Sequence, residues 1–339
     1  MSQRLSASDF AIGTIMKAVL CKAWGPPESL TVESLPDITP EAGEVIIAVK
    51  AASVNFPDVL IIQNKYQVKP PLPFVPGTEL AGTVHAVGAN VSHVKPGDSV
   101  IAVGTHGAFS SLARMKADEV MLMPAGLDFD TAAAFFMAYG TSYHAVVDRG
   151  QLKAGETLLV LGAAGGVGLA AIGIAKALGA RVIAAASTND KLAVCREQGA
   201  DETIDYSSEN LRERIKSITN GKGPDVIFDP VGGANAELAF RSVGWRGRYL
   251  IVGFASGEIP KLAFNLPLLK GAALIGVFWG DYIKREPASC QEDFQTIVEW
   301  IQAGKIRPHI SARYRLEDTA RALQDMADRK TTGKVLIVP

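Results

Sequence analysis

The segment Thr157–Ser187, TLLVLGAAGGVGLAAIGIAKALGARVIAAAS, restricts this chain to few folds. Leu158–Leu161 is an apolar run of strand length. Gly162, Gly165, Gly166 and Gly168 then turn the chain, a helical pattern runs from Val167 to Leu178, and Gly179 stops it. Val182–Ala186 is a second apolar run. Short buried runs joined through a glycine turn and a helix read as a βαβ unit, the building block of parallel sheets. The first turn of such a helix has unpaired N–H groups at the positive end of its dipole, so it favours an anion.

The spacing Ala163-x-Gly165-x-x-Gly168 is the dinucleotide fingerprint with alanine in its first position; Ala164, Gly166 and Val167 complete the turn. Gly165 lets backbone approach a pyrophosphate, and Gly168 lets helix and strand pack closely. The flanking strands and helix make the pattern specific; a tight turn that binds nothing is the competing reading. A methyltransferase uses a similar turn, but it wants a carboxylate at the end of the second strand, and here that strand ends Ala184-Ala185-Ala186-Ser187. The missing acid also selects the cofactor, because an Asp or Glu there would hold the free 2′-hydroxyl of NAD. Ser187 and Lys191 instead suit a 2′-phosphate, so NADPH is expected, although Lys191 equally reads as a solvated helix lysine. Asp190 fits the first turn of the next helix, where the dipole favours an acid.

At 339 residues the chain has room for two domains, and 48% hydrophobic against 20% charged residues gives it ample core. A formal net charge of −1 carries no basic excess for nucleic acid, and there is no polybasic segment for a membrane. Cys21, Cys195 and Cys290 are odd in number and far apart, which suggests neither a disulfide framework nor a zinc ribbon. The start, MSQRLSASDFAIGTIM, lacks the apolar core of a secretory signal, and no run reaches the roughly 18 apolar residues of a membrane span. A cytoplasmic location is the expectation.

Residues 1 to about 15 read as a polar extension. Short strands punctuated by Pro and Gly follow at 16–20, 30–32, 45–49, 80–87, 99–103, 109–114 and 120–123, with a helix after Pro57. A long helical pattern covers 128–147. Beyond Ser187, helices near 190–198, 209–219 and 234–242 alternate with strands near 203–205, 225–229, 247–253 and 274–278. Helices near 291–303 and 316–328 and strands near 311–315 and 334–338 finish the chain. The fold class is therefore α/β, with a β-rich part surrounding a doubly wound part in sequence.

The motifs Ser53-Val54-Asn55-Phe56-Pro57-Asp58, Pro76-Gly77-Thr78-Glu79-Leu80-Ala81-Gly82, Lys95-Pro96-Gly97-Asp98, Gly165-Gly166-Val167-Gly168 and Thr332-Gly333-Lys334 together resemble one family. It is the medium-chain dehydrogenase/reductase superfamily, in its zinc-free quinone oxidoreductase (zeta-crystallin-like) branch, and the likeness runs from about Met16 to Pro339. The resemblance implies a GroES-like catalytic domain (16–139 and 279–339) and a Rossmann-like NADPH-binding domain (140–278). Relatives are often homodimers, and the flat apolar segment Ala272–Phe278 is the expected pairing edge. Zinc alcohol dehydrogenases of the same superfamily place a metal-ligating histidine where Thr78 stands, and no cysteine lies near Ser53 or residue 150. His85, His93, His106, His144 and His309 are scattered, and a zinc site needs three or four convergent ligands, so no metal is expected.

The activity implied is hydride transfer from NADPH to a quinone or an α,β-unsaturated carbonyl. The alternatives kept beside it are an enoyl-thioester reductase and a non-catalytic NADPH-binding protein. The resemblance gives Tyr66 the role of proton donor and Asn55 the orientation of the nicotinamide ribose or the acceptor; from the residues alone, a neighbouring cation, Lys65 or Lys69, is expected to lower the Tyr66 pKa. The resemblance also sets Thr141 against the nicotinamide, Gly253, Phe254 and Ser256 after the fifth strand, Phe278 and Trp279 beside the carboxamide, Tyr206 against the adenosine and Lys334 toward the pocket. The competing readings are Tyr66 as a loop aromatic, Asn55 as a strand-end cap, and Phe278 and Trp279 as core. A small-molecule substrate, with no nucleic acid and no membrane, completes the expectation.

Overall fold

The computed structural model describes residues 15–339, so the expected N-terminal extension lies, but for Ile15, outside the described residues. The chain divides into two compact units. Residues up to 133, 313–328 and 336–339 form the first, and residues 134–312 and 329–335 the second.

In the first unit, β1 (Ile15–Leu20) pairs antiparallel with β2 (Thr31–Pro36). Next come β3 (Glu44–Val54), the helix Phe56–Ile61, β4 (Glu79–Val87), β5 (Ser99–Val103), β6 (Leu112–Lys116) and β7 (Val120–Leu122). β3 is the centre: β4 pairs with it on one side and β6 on the other, and β5 and β7 extend the sheet beyond β4. Ile46, Ile47, Leu80 and Ile101 are fully buried, as the β-branched and apolar content of these strands requires. The strand expected at 109–114 begins only at Leu112. Phe109 instead closes a turn, its N–H donating to Pro76 O and its carbonyl accepting from Val19 N, with its ring under Gly77.

The second unit holds a parallel sheet of β8 (Thr157–Leu161), β9 (Arg181–Ala186), β10 (Glu202–Asp205), β11 (Val226–Asp229), β12 (Arg248–Ile251) and β13 (Ala273–Gly276). Their spatial order is β10-β9-β8-β11-β12-β13. This is two mononucleotide-binding halves meeting between β8 and β11, and in such sheets ligands lie outside the carboxyl ends of the strands at that meeting point. The helices Gly166–Ala177, Asn189–Glu197, Leu211–Ile218 and Ala234–Ser242 connect the strands. Leu159, Ile183, Ile227, Phe240 and Tyr249 share one buried cluster. Truncating a fully buried phenylalanine such as Phe240 to alanine costs about 3–5 kcal/mol.

Two departures from the sequence reading concern helices. The helix Phe129–Tyr143 does not run on to 147 but widens into a π-type turn, His144–Arg149. The helices Asn265–Lys270 and Trp279–Arg285 were not expected at all. The chain also re-enters the first unit at Arg313 rather than at residue 279. The helix Pro287–Gln302 explains this: Phe294 stacks on Phe135 at 5.6 Å, and Trp300 packs on Tyr143 at 5.7 Å, both within the second unit. Finally β14 (Ile310–Arg315) and β15 (Lys334–Val338) extend the first unit's sheet beyond β3. No helix among the described residues is long and apolar enough to cross a membrane.

Candidate functional site

Gly165 caps the helix Gly166–Ala177, whose first N–H groups have no acceptor within the helix itself. A Cβ added to Gly168 would sit 2.6 Å from Ala163 O, so only glycine lets the helix pack this closely on β8. Gly165 is different. A Cβ there meets nothing of the protein nearer than Gly162 O at 3.5 Å, so the space above this exposed residue is open to a ligand. Val167 carries the carbonyl that accepts from Ser142 Oγ at 2.7 Å, which ties the turn to the helix bearing Thr141. Gly333 pairs with Gly165, and its N–H donates to Ala164 O at 2.8 Å. A side chain at Gly333 would collide with His309 O at 2.3 Å, so glycine is obligatory there. The stem of buried Lys334 is thereby laid over Gly166.

At the end of β9, Ser187 and Lys191 come together. Lys191 Nζ donates to Ser187 Oγ at 3.4 Å and to the carbonyl of Arg329 at 2.6 Å. Tyr206 hydrogen-bonds Ser187, its backbone N–H donates to Ala186 O at 3.1 Å, and burial raises its phenol above the usual range. Arg329 was not identified from sequence; its only signal is the basic pair Arg329-Lys330 just before Thr332-Gly333-Lys334. Its Nη2 reaches the carbonyls of Ala255 and Ser256, each at 3.4 Å. Burial, and then the Arg329 charge, depress the Lys191 ammonium below its ordinary value. No ion pair among the described residues involves either cation. Two neighbouring cations without a carboxylate, beside a serine and a tyrosine hydroxyl, are arranged for a dianion such as a phosphate monoester. Asp190 stays exposed in the first turn of its helix, where Thr188 is the cap.

The loops after β11 and β12 meet beside the turning point of the sheet. Phe254 and Ser256 pack against Gly232 and Gly233, and Gly253 lies against Pro230. Phe278 is exposed. Trp279, expected beside a ligand, is instead a packing residue: it is 7% exposed, lies edge-on to Phe136 at 5.4 Å, and closes so tightly over Gly140 that a Cβ there would be 2.8 Å from the indole. Thr141 remains half-buried at the next position.

In the first unit, Asn55 is the N-cap of the helix Phe56–Ile61, as its strand-end reading allows. Its N–H donates to Asp58 Oδ2 at 2.7 Å, and its Nδ2 to buried Glu79 Oε2 at 3.2 Å. Tyr66 is half-buried, and its phenol is raised, first by burial and then by the Asp58 charge. This corrects the expectation that a lysine would lower it: Lys65 Nζ is turned to Gln63 Oε1 at 2.8 Å. Thr78 is buried, its carbonyl accepting from Gly104 N at 2.9 Å. Among the described residues no group of three or more His, Cys, Asp or Glu side chains is placed to hold a metal.

Residues 41–125 match the alcohol dehydrogenase GroES-like domain, and residues 166–303 the zinc-binding dehydrogenase domain. The chain is 38% identical to a quinone oxidoreductase-like protein 2 homolog of Nematostella vectensis, over 95% of this chain and 88% of that protein. Among solved structures it resembles a probable oxidoreductase from Mycobacterium abscessus at 36% identity and TM-score 0.86, covering 96% of this chain and all of that one (100%). It also resembles the Escherichia coli quinone oxidoreductase complexed with NADPH, at 32% identity and TM-score 0.89, covering 95% of this chain and 100% of that one. With a GroES-like first unit and a Rossmann-like second unit bearing the fingerprint turn, this chain belongs to the medium-chain dehydrogenase/reductase superfamily, in its zeta-crystallin-like quinone oxidoreductase branch.

Proposed function

We propose that this protein is an NADPH-dependent, zinc-independent oxidoreductase that reduces quinones or α,β-unsaturated carbonyls. The observation that carries the cofactor choice is the Lys191–Arg329 pair beside Ser187 and Tyr206, with no carboxylate at the end of β9. The pair is electrostatically incomplete until an anion joins it, and a 2′-phosphate is the anion that separates NADPH from NADH. The open space at Gly165 and the helix N-terminus behind it fit the pyrophosphate. Ala164, Gly166, Val167 and Gly168 shape that turn, and Lys334 lies over it.

When bound, NADPH supplies the hydride. The rest falls to the chain's own residues. Thr141, Gly253, Phe254, Ser256 and Phe278 are assigned to the nicotinamide half, with Trp279 behind them as packing. Asn55 orients the ribose or the acceptor, its side chain fixed by Glu79. Hydride added to the β-carbon of a conjugated carbonyl leaves an enolate, and Tyr66 Oη gives the proton that completes the reduction, then regains one from solvent. Its raised pKa keeps the phenol protonated at neutral pH. With Thr78 at the position of the ligating histidine, electrophilicity must come from the acceptor itself, as in quinones and enones.

We further propose a homodimer through β13. Ala273 N donates to Gly247 O and Val277 N to Ile251 O, so the alternate N–H groups, Leu274 and Gly276, face outward from the sheet. Trp245 (73% exposed) and Leu268 (78%) add apolar surface in the chain next to this edge. Three free cysteines agree with a reducing cytoplasm.

The test is NADPH oxidation against a panel of quinones, enones and enoyl thioesters, with NADH in parallel. Turnover of a quinone or enone, faster with NADPH, supports the reading. Turnover of thioesters alone makes the enzyme an enoyl-thioester reductase, and binding without turnover of any acceptor refutes the enzymatic reading.

A further inference from the structure

Asp229, the last residue of β11, is 3% exposed and so is Tyr249 nearly, at 4%. The Asp229 carboxylate receives three hydrogen bonds. Oδ1 accepts from Val231 N at 2.8 Å and Gly232 N at 2.9 Å, and Oδ2 accepts from Tyr249 Oη at 2.5 Å. Its backbone carbonyl accepts from Val252 N at 2.9 Å and more weakly from Gly253 N at 3.3 Å. One residue thus gathers the loops that follow both β11 and β12.

Those loops are zipped to each other from this point. Ala255 N donates to Pro230 O at 3.0 Å, Ser256 N to Val231 O at 2.9 Å, and Gly233 N to Glu258 O at 3.1 Å. Gly233, at φ 63° and ψ −155°, occupies backbone space that is essentially glycine-only, so the loop's path needs an external hold. The consequences reach the cofactor turn on the other side. Val231 lies over Gly162, the first glycine after β8, where a Cβ would be 2.6 Å from Val231 Cγ2. Arg329 rests on the carbonyls of Ala255 and Ser256. A carboxylate at the carboxyl end of a parallel strand, facing outward, would repel a diphosphate. Here both oxygens are turned into the protein and occupied.

We propose that Asp229 is a positioning residue for the cofactor: its carboxylate and carbonyl hold the loops after β11 and β12, beside the sheet's turning point, in the shape the dinucleotide lies against. The inference rests on the NADPH reading above. It is a role in preorganisation, with no contact between Asp229 and the cofactor.

The test is calorimetric titration of NADPH into wild type and variants, with unliganded thermal melts and steady-state kinetics beside it. Asp229→Ala leaves the Val231 and Gly232 N–H groups without their acceptor. If the binding-competent loop falls to a tenth or a hundredth of the population, Kd rises about tenfold to a hundredfold. Asp229→Asn keeps Oδ1 for both amides and turns Nδ2 to Tyr249 Oη, which can rotate to accept, so Kd stays within about threefold. Tyr249→Phe keeps the backbone clamp and removes one donor. It should raise Kd about three- to tenfold while kcat at saturating NADPH stays within about twofold. Wild type that binds no NADPH overturns the cofactor reading and this inference with it. Wild type that binds, beside a folded Asp229→Ala that binds within about twofold of it, overturns this inference alone. So does Asp229→Asn as weak as Asp229→Ala. Should the alanine variant fail to fold, a Tyr249→Phe protein with wild-type Kd overturns it.

Discussion

Replacing Lys191 or Arg329 by alanine probes the cation pair from both sides. In the unliganded protein the two charges are neighbours, joined only by the bond from Lys191 Nζ to the Arg329 carbonyl at 2.6 Å. That bond uses the backbone of Arg329, so Arg329→Ala leaves it in place. A charge-assisted hydrogen bond contributes about 1.5–3 kcal/mol, and the partial exposure of both side chains argues for the lower end. Each single variant should therefore bind NADPH about tenfold more weakly, and NADH within about twofold of wild type. The double variant should lose less than the product of the singles, because both cations meet one phosphate. Unliganded stability should change little in Arg329→Ala, because a repulsion and two long hydrogen bonds to Ala255 and Ser256 are lost together. The same variant has a pH signature. Burial and Arg329 both depress Lys191, so its charge is lost at a lower alkaline pH than an ordinary lysine's, and NADPH affinity falls with it. Removing Arg329 removes one cause, raises the Lys191 pKa, and moves that alkaline fall to higher pH. Calorimetric titration at fixed ionic strength is the assay, because salt screens such contacts over about 8–10 Å. An equal loss for NADH and NADPH, or no loss in either variant, would refute the assignment.

Tyr66→Phe should slow enone turnover by about 10²–10⁴-fold, the usual contribution of a positioned acid, and spare quinones, whose hydroquinone anion takes its proton from solvent; unchanged turnover of every enone and enoyl thioester would remove Tyr66 from the mechanism. Because burial and Asp58 raise the Tyr66 phenol above the ordinary value of 10.0, enone turnover in the wild type should show no loss from phenol ionisation between about pH 7 and 9, and an alkaline limb in that range assigned to this tyrosine by its absence in Tyr66→Phe would contradict that. Gly276→Pro removes an N–H that points out from β13 without touching the bonds to β12, so light scattering should find monomers where the wild type is dimeric; a monomeric wild type at micromolar concentration refutes the pairing. Chelators should leave activity intact, and metal analysis finding about one zinc per chain would overturn zinc independence.

The local part of this protein was legible in its sequence. The fingerprint turn, the helix behind it and the apolar strands around it depend on residues within a few positions of each other, and glycine chemistry and hydrophobic period act at that range. Gly168 against Ala163 O follows from the spacing alone. Side-chain direction was not legible. Lys65 follows Gln63 rather than Tyr66, and Trp279 fills the space over Gly140, because rotamers are chosen by packing neighbours that sequence proximity does not reveal. The division of the chain after β13 also needed the tertiary structure, since the helix Pro287–Gln302 is assigned by the aromatic faces it meets, Phe135 and Tyr143. Arg329 reaches Lys191 across 138 residues, and Tyr249 reaches Asp229 across 20. Charges and hydroxyls of this kind have no period or spacing to announce them. They become a site only when the sheet order sets β11 and β12 side by side and returns the last turn of the chain to the end of β9.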